Sequence, residues 1–102
     1  MNIPKAIAIG RDRGKAYGSL MLNDSTSMGY AAYILEGFEN DRDDVMDLAP
    51  RPLSGEWAGE SIKEIADVIG SDDDIALYAY EIAYIDAWWE TVLFHAKLII
   101  GK

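Results

Sequence analysis

His95 is the single histidine of this 102-residue chain, and cysteine is absent. These counts exclude disulfides, thiolate metal sites and a cysteine nucleophile, and they leave imidazole chemistry without a second histidine. The nearest acid before His95 is Glu90, five residues away, whereas the carboxylate–histidine motif of di-metal helix bundles needs the acid three residues before the histidine. We therefore expect His95 to be structural, and we expect no metal and no cofactor.

The segment from Gly10 to Lys15 has the glycines and lysine typical of a phosphate-binding loop. Three residues separate Gly10 from Gly14, where such a loop needs four, and Ala16 occupies the position of the magnesium-binding hydroxyl. Ser54 is not part of a Gly-x-Ser-x-Gly nucleophile turn. These motifs therefore predict no catalytic residue.

Two acid-rich segments, 41–44 and 72–74, have the composition of a calcium loop but not its spacing. Val45 occupies the fifth position of a loop that begins at Asp41, and the glycine needed at the sixth is missing. We interpret both segments as helix starts, where backbone N–H groups favour acids. Asp86 and Glu90, one helical turn apart, would support a carboxylate-dependent enzyme only if they line a cavity.

Charge is distributed unevenly along the chain, whose net charge is −9. Residues 1–15 have a net charge of +3, whereas residues 24–90 have a net charge of −14. An acidic body of this kind repels nucleic acid and attracts basic protein surfaces. The basic cluster of Arg11, Arg13 and Lys15 is expected to bind the chain's own acids or a partner, with no direct binding of nucleic acid.

The segment 75–100 is the candidate for a membrane span. Glu81, Asp86 and Glu90 lie in its middle, and each would cost about 2.5–3.5 kcal/mol in a bilayer. We therefore expect a buried helix and no membrane partner. The first residues lack the apolar run of a secretory signal, which favours a cytoplasmic location.

Helical periodicity is strongest in the last third of the chain. Ser71 and the three aspartates after it predict an N-cap and an acidic first turn, and Gly101 predicts the end. The helix predicted over about 72–100 has a continuous apolar stripe that must be covered. The stripe consists of Ile75, Tyr78, Ile82, Ile85, Trp89, Val92, Ala96 and Ile99.

Other helix signals lie upstream of this long helix. A cap cluster at 24–26 predicts a helix to about Asn40, and Asp41 predicts a short one after it. Ser61 and Glu64 have the spacing of a capping box, with Gly70 as the C-terminal glycine. The chain is therefore predicted to be a single all-α domain over 1–102, with four to five helices packed on the C-terminal helix.

The first twenty residues have two interpretations. Ala6, Gly10, Gly14 and Gly18 recur at every fourth residue, which on a helix would form a ridge of small residues that another helix can approach closely. Each interior glycine costs about 1 kcal/mol relative to alanine, so packing must offset that cost. The alternative is an α+β fold with an N-terminal β-hairpin over about 5–22. A lone hairpin is weak, so the helix is favoured.

The segment Pro52-Leu53-Ser54-Gly55-Glu56-Trp57-Ala58 resembles one found in small uncharacterised proteins of phages and bacterial mobile elements. Gly10-Arg11 with Gly14, and the Ile-Leu-Glu-Gly run at 34–37, are companion segments. The resemblance implies a phage or mobile-element setting and provides no catalytic motif.

Three acids are predicted to lie where local stability does not explain them. Glu36, Glu39 and Asp47 fall at predicted helix ends, where the helix dipole disfavours an anion by about 0.3–1 kcal/mol. We therefore expect a non-enzymatic acidic protein–protein interaction module, of which an inhibitor of a host nucleic-acid-binding protein is one form. The predicted partner-binding residues are Glu36, Glu39, Asp43, Asp44, Asp47 and Trp57.

The alternative function is a structural or regulatory homodimer assembled through the C-terminal helix. A helix that is apolar over most of its circumference can be covered by a second copy. The predicted interface residues are Tyr78, Ile82, Ile85 and Trp89.

Overall fold

The computed structural model describes residues 2–54 and 62–101, and most of these residues are helical. The α-helices are α1 (Ile3–Gly18), α2 (Met28–Asn40), α3 (Arg42–Met46), α4 (Ile62–Ile69) and α5 (Asp74–Ile100), and Pro52–Ser54 form a 3-10 turn. No strand occurs within these ranges. The all-α prediction is confirmed for them, and the alternative hairpin over 5–22 is wrong because α1 occupies that segment.

Helices α1, α2 and α4 pack directly on the long helix α5, whereas α3 packs on α2. The 27 residues of α5 span about 40 Å at 1.5 Å per residue. The core cluster around its first half includes Ala6 of α1 and Ile65 of α4, whereas the cluster around its second half includes Ile34 of α2 and Val45 of α3. No described helix combines the length and apolar character needed to span a membrane.

The contact between α1 and α5 depends on the ridge of small residues on α1. Ala6 and the three glycines Gly10, Gly14 and Gly18 are the buried residues of α1. A Cβ at Gly10 would lie 2.5 Å from the Tyr80 carbonyl oxygen, and one at Gly18 would lie 2.9 Å from that of Trp88. The predicted ridge is therefore confirmed, and close backbone packing accounts for glycine inside a helix.

The two helices run in the same direction. Gly10, Gly14 and Gly18 face Tyr80, Tyr84 and Trp88, so each step of four residues along α1 matches a step of four along α5. The side chains of Tyr80, Tyr84 and Trp88 are buried beside this contact. The α1–α5 contact therefore brings helix backbone against helix backbone, with three large rings packed beside it.

Two of the predicted N-caps are displaced, by two residues for α5 and by one residue past the predicted 24–26 cluster for α2. Asp73, rather than Ser71, caps α5, and its carboxylate accepts a hydrogen bond of 2.8 Å from the Ile75 N–H. The Ser71 Oγ instead accepts from the Asp73 N–H at 3.2 Å, within the turn that leads into the helix. Helix α2 is capped by Ser27, which accepts from the Tyr30 N–H at 3.1 Å.

Helix α4 ends as predicted at Gly70. This glycine has φ of 81°, which side chains rarely tolerate, and the Ser71 N–H reaches back to the Ala66 carbonyl at 3.1 Å. The Asn2 side chain donates to the Ile69 carbonyl at 3.1 Å and so ties the start of α1 to the end of α4. Ser61 of the predicted capping box lies outside the described residues.

The predicted stripe on α5 divides between two environments. Ile75, Tyr78 and Ile82 in its first half are exposed, whereas Val92, Ala96 and Ile99 in its second half are buried. The cause is that α4 and α2 cover different faces of α5 along its length, together with α1. A continuous stripe is therefore not one continuous interface.

The close α1–α5 contact predicts which glycine substitution lowers the free energy of unfolding. Gly14→Ala would drive a Cβ into the Tyr84 backbone, so we expect the free energy of unfolding to fall by about 1–3 kcal/mol or more. Gly29→Ala is the matched control, because no atom lies within 4 Å of its Cβ position. We expect that variant to be unchanged or up to about 1 kcal/mol more stable. Urea unfolding measures both, and equal effects would contradict the close packing.

Candidate protein-binding surface

The exposed carboxylates Glu36, Glu39, Asp43 and Asp47 form what we call the acidic surface. Glu39 lies in the last turn of α2, with Glu36 one residue before that turn, and Asp47 is the C-cap of α3. No basic residue lies in the last turn of either helix. The Asp44 side chain and Trp57, which were also predicted to bind a partner, lie outside the described part of the chain.

These four carboxylates lack partners within the described ranges. No hydrogen bond or ion pair joins them to another described residue. The neighbouring cation, Arg42, is occupied by Phe38: its Nε–H donates to the Phe38 carbonyl at 2.9 Å, and its guanidinium lies 4.3 Å from the centre of the Phe38 ring. The acidic surface is therefore open to a cation from outside.

The junction between α2 and α3 holds the acidic surface in place. Asp41 leaves the helical region, with φ −150° and ψ 72°, so the chain turns between the two helices. Gly37 then allows the closest approach, because a Cβ there would lie 2.5 Å from Cγ1 of the fully buried Val45. The acids are thus carried on two short helices packed against each other.

A groove of about 370 Å³ separates the α2–α3 pair from α5, and we call it the α2–α5 groove. The rings of Phe38 and Trp89 lie 5.0 Å apart at this contact. The groove is lined by Phe38, Arg42, Met46, Ile85, Asp86, Trp89, Glu90 and Leu93. It has apolar side chains from both walls and two acids, Asp86 and Glu90, on the α5 wall.

Two basic residues of α1, Arg11 and Arg13, bind groups within the chain, and the group that Arg11 binds is an acid, as one of the sequence interpretations predicted. Arg11 forms an ion pair with Glu90, with Nη2 2.6 Å from Oε2, and Arg13 donates to the Tyr80 hydroxyl at 3.3 Å. The hydrogen bond and the charge of Glu90 raise the pKa of Arg11 above its usual value. Asp86 and Glu90 both line the α2–α5 groove as exposed residues, and Glu90 is held in the ion pair with Arg11.

A second groove of about 640 Å³ lies between α1 and α5. It contains both signs of charge, since Lys15 and Asp12 line it together with the Arg11–Glu90 pair. His95 is half-buried at its end, and its Nδ1 has no hydrogen-bond partner among the described residues. Nowhere in those residues do three His, Asp or Glu side chains come together as metal ligands.

The chain was compared with protein families, curated proteins and solved structures. It matches no family model, no curated protein and no solved structure. The surface must therefore be interpreted from its own residues.

The four residues predicted for a dimer interface fall in two environments. Tyr78 and Ile82 are 62% and 53% exposed, whereas Trp89 is 5% exposed and packs on Phe38 within the chain. Ile85 is half-buried against the same core. Trp89 is therefore a core residue in this structure, which corrects its expected position across a two-fold axis, and Tyr78 and Ile82 remain accessible.

The sequence interpretation missed the α2–α5 groove. Phe38 and Met46 lie on one wall and Ile85 and Leu93 on the other, and the periodicity of each helix indicates only that these residues face inward. A partial signal was present in the spacing of Phe38, Arg42 and Met46, which recur at every fourth residue.

The position of the acidic surface at helix ends predicts its effect on stability. The triple variant Glu36→Gln, Glu39→Gln and Asp47→Asn removes three anions from the negative ends of helix dipoles. We expect the Tm to stay equal or rise, because each such anion costs up to about 0.3–1 kcal/mol.

The matched control removes the same charge from the start of α5. Asp72→Asn, Asp73→Asn and Asp74→Asn together take three anions from the positive end of that dipole, so we expect the Tm to fall. Calorimetry of both variants at low ionic strength measures the difference. Similar shifts of the same sign would contradict the dipole argument.

Proposed function

We propose that this protein is a non-enzymatic interaction module whose acidic surface binds a basic surface on a partner protein. The observation that supports the proposal is the set of exposed carboxylates on α2 and α3 without partners in the described residues. Three of them, Glu36, Glu39 and Asp47, lie toward helix ends, where acids do not stabilise their own helices. A basic partner would give them the counter-charges that they lack.

The charge of the whole chain supports the same partner class. Residues 24–90 have a net charge of −14, and a field of one sign increases the association rate with an oppositely charged surface. Arg11 and Arg13 of α1 bind Glu90 and Tyr80 on the α5 side and not the acidic surface. We therefore expect binding that weakens as salt is added.

Exposed aromatic residues beside the acids provide contact area for a partner. Tyr30 and Tyr33 stack with their ring centres 6.3 Å apart, and Tyr33 is 50% exposed. Tyr33 and Glu36 are three residues apart on α2, so they are neighbours on its surface. Tyrosine is enriched at protein interfaces, where one ring gives both apolar area and a hydroxyl.

The proposal includes a biological role for this module, as an inhibitor of a nucleic-acid-binding protein. An acidic module of this kind can occupy the basic site of a nucleic-acid-binding protein by presenting carboxylates where phosphates would lie. A phage or mobile element is the proposed source, and this part rests on the resemblance of the 52–58 segment, whose residues 55–58 lie outside the described ranges. We propose that a cytoplasmic host protein is the partner.

Binding of the partner should depend on the acidic surface and not on total charge. We expect immobilised wild type to retain basic proteins from a bacterial lysate at low salt and to release them at high salt. The variant neutralised at Glu36, Glu39 and Asp47 should lose them, whereas the control neutralised at 72–74 should keep them. Mass spectrometry of the eluates measures this. Retention by all three proteins alike would contradict the proposal.

A homodimer is the second candidate function, and the exposure of Tyr78 and Ile82 supports it. Together with Ile75 these residues form an apolar stripe on the first half of α5. If this stripe joins two copies, sedimentation should give a dimer that Tyr78→Asp dissociates.

The control for that experiment is Phe94→Asp, because Phe94 is similarly exposed, at 60%, but lies near the other end of α5. We expect it to leave a dimer intact. A wild-type monomer at micromolar concentration would exclude this function.

A further inference from the structure

The α2–α5 groove has apolar side chains within it, acids on its α5 wall, and further acids next in sequence to the lining residues of its other wall. Met46, Ile85 and Leu93 are half-buried lining residues, and Trp89 lies beneath them in the core. On the α5 wall, Asp86 and Glu90 line the groove directly. On the other wall, Glu39, Asp43 and Asp47 each follow a lining residue by one position, and all three are exposed.

We propose that this groove binds an amphipathic basic helix of the partner protein. Its apolar stripe would pack on Met46, Ile85 and Leu93, and its Lys and Arg side chains would lie against the acids on both sides. The inference rests on the proposed function, since it assigns the partner class to the same acidic surface. It adds an apolar anchor site, which the acids alone do not provide.

The charge distribution is what selects this occupant. Asp86 and Glu90 line the groove, and Glu39, Asp43 and Asp47 each lie one position after a lining residue, whereas Arg42 is the only cation among the lining residues. Glu90 is already paired with Arg11, so four of these five carboxylates are open to a cation from the partner. Arg42 is held against Phe38 by a hydrogen bond of 2.9 Å and by contact with the ring. This internal contact shows that a guanidinium is accommodated at the edge of the groove, beside an aromatic ring.

The dimensions of the groove favour a helix over an extended peptide. The lining residues from Ile85 to Leu93 cover about 12 Å of α5, or roughly two turns. A helix places its anchors at i, i+3 or i+4, and i+7 over the same length. A peptide that binds by strand addition would need a sheet edge for its backbone, and the described residues contain no strand.

Met46 is the residue that distinguishes the groove from the acidic surface. It lines the groove between α3 and α5, is half-buried, and does not belong to the packed core cluster. Unbranched methionine side chains adapt to different ligands and are common at surfaces that bind amphipathic helices. Met46→Lys therefore changes the proposed anchor while it leaves all five flanking acids in place.

The test uses two synthetic peptides of identical leucine and lysine composition. In one, of about 14 residues, leucine follows the 3-4 spacing of a helix face; in the other, the leucines are scattered over all faces. We expect fluorescence anisotropy to show that the striped peptide binds wild type more tightly than the scattered one. Met46→Lys should weaken the striped peptide by roughly tenfold or more.

Met28→Lys is the matched control, because Met28 is a 56% exposed methionine of α2 remote from the groove lining. It makes the same change in charge and should keep the wild-type affinity. Circular dichroism must show that both variants are folded.

Each other outcome overturns the groove proposal in a recognisable way. If both peptides bind wild type equally and Met46→Lys behaves like Met28→Lys, the apolar groove is not used. The proposed function still stands in that case if neutralising Glu36, Glu39 and Asp47 abolishes binding. If wild type binds neither peptide, or if Met46→Lys dissociates a dimer of this chain, the groove does not take a basic helix.

Discussion

The approach of α1 to the backbone of α5 is the constraint on which the rest of the structure depends. Glycine at 10, 14 and 18 lets α1 lie against the carbonyls of Tyr80 and Trp88 without an intervening side chain. The large rings of α5 can then pack beside this contact, and α5 remains free on its other faces to bind α4 and α2. The glycines destabilise an isolated helix, so α1 is stable through its partner and not through its own propensity.

Much of the fold could be predicted from the sequence, because local patterns and burial agree. The small-residue ridge of α1, the break at Asp41 and the glycine at the end of α4 were all recognisable from residue type and spacing. The caps were displaced because several adjacent Ser, Thr and Asp residues can each cap a helix. Which of these residues becomes the N-cap, Ser27 for α2 and Asp73 for α5, depends on the turn before each helix. The division of the α5 stripe into an exposed and a buried half depends on where the other helices pack. The periodicity of the sequence does not specify those positions.

The candidate site was only partly predictable for the same reason. Glu36, Glu39 and Asp47 could be singled out because a helix end is a local feature with a known polarity. The α2–α5 groove joins residues about 40 to 55 positions apart, and the Arg11–Glu90 pair joins residues 79 positions apart. Neither can be deduced from spacing along the chain. The ion pair also explains why the basic segment does not neutralise the acidic surface, since it is oriented toward α5.

The parallel arrangement of α1 and α5 has a consequence for the order of folding. A parallel pair cannot be closed by a short turn, so the contact joins segments about 70 residues apart and must wait for the last helix to leave the ribosome. Until then α1 is a glycine-containing segment with marginal helicity, whereas α2 and α3 can already pack on each other. Such non-local closure is slow in general. The groove beside the acidic surface can therefore form only once α5 is in place.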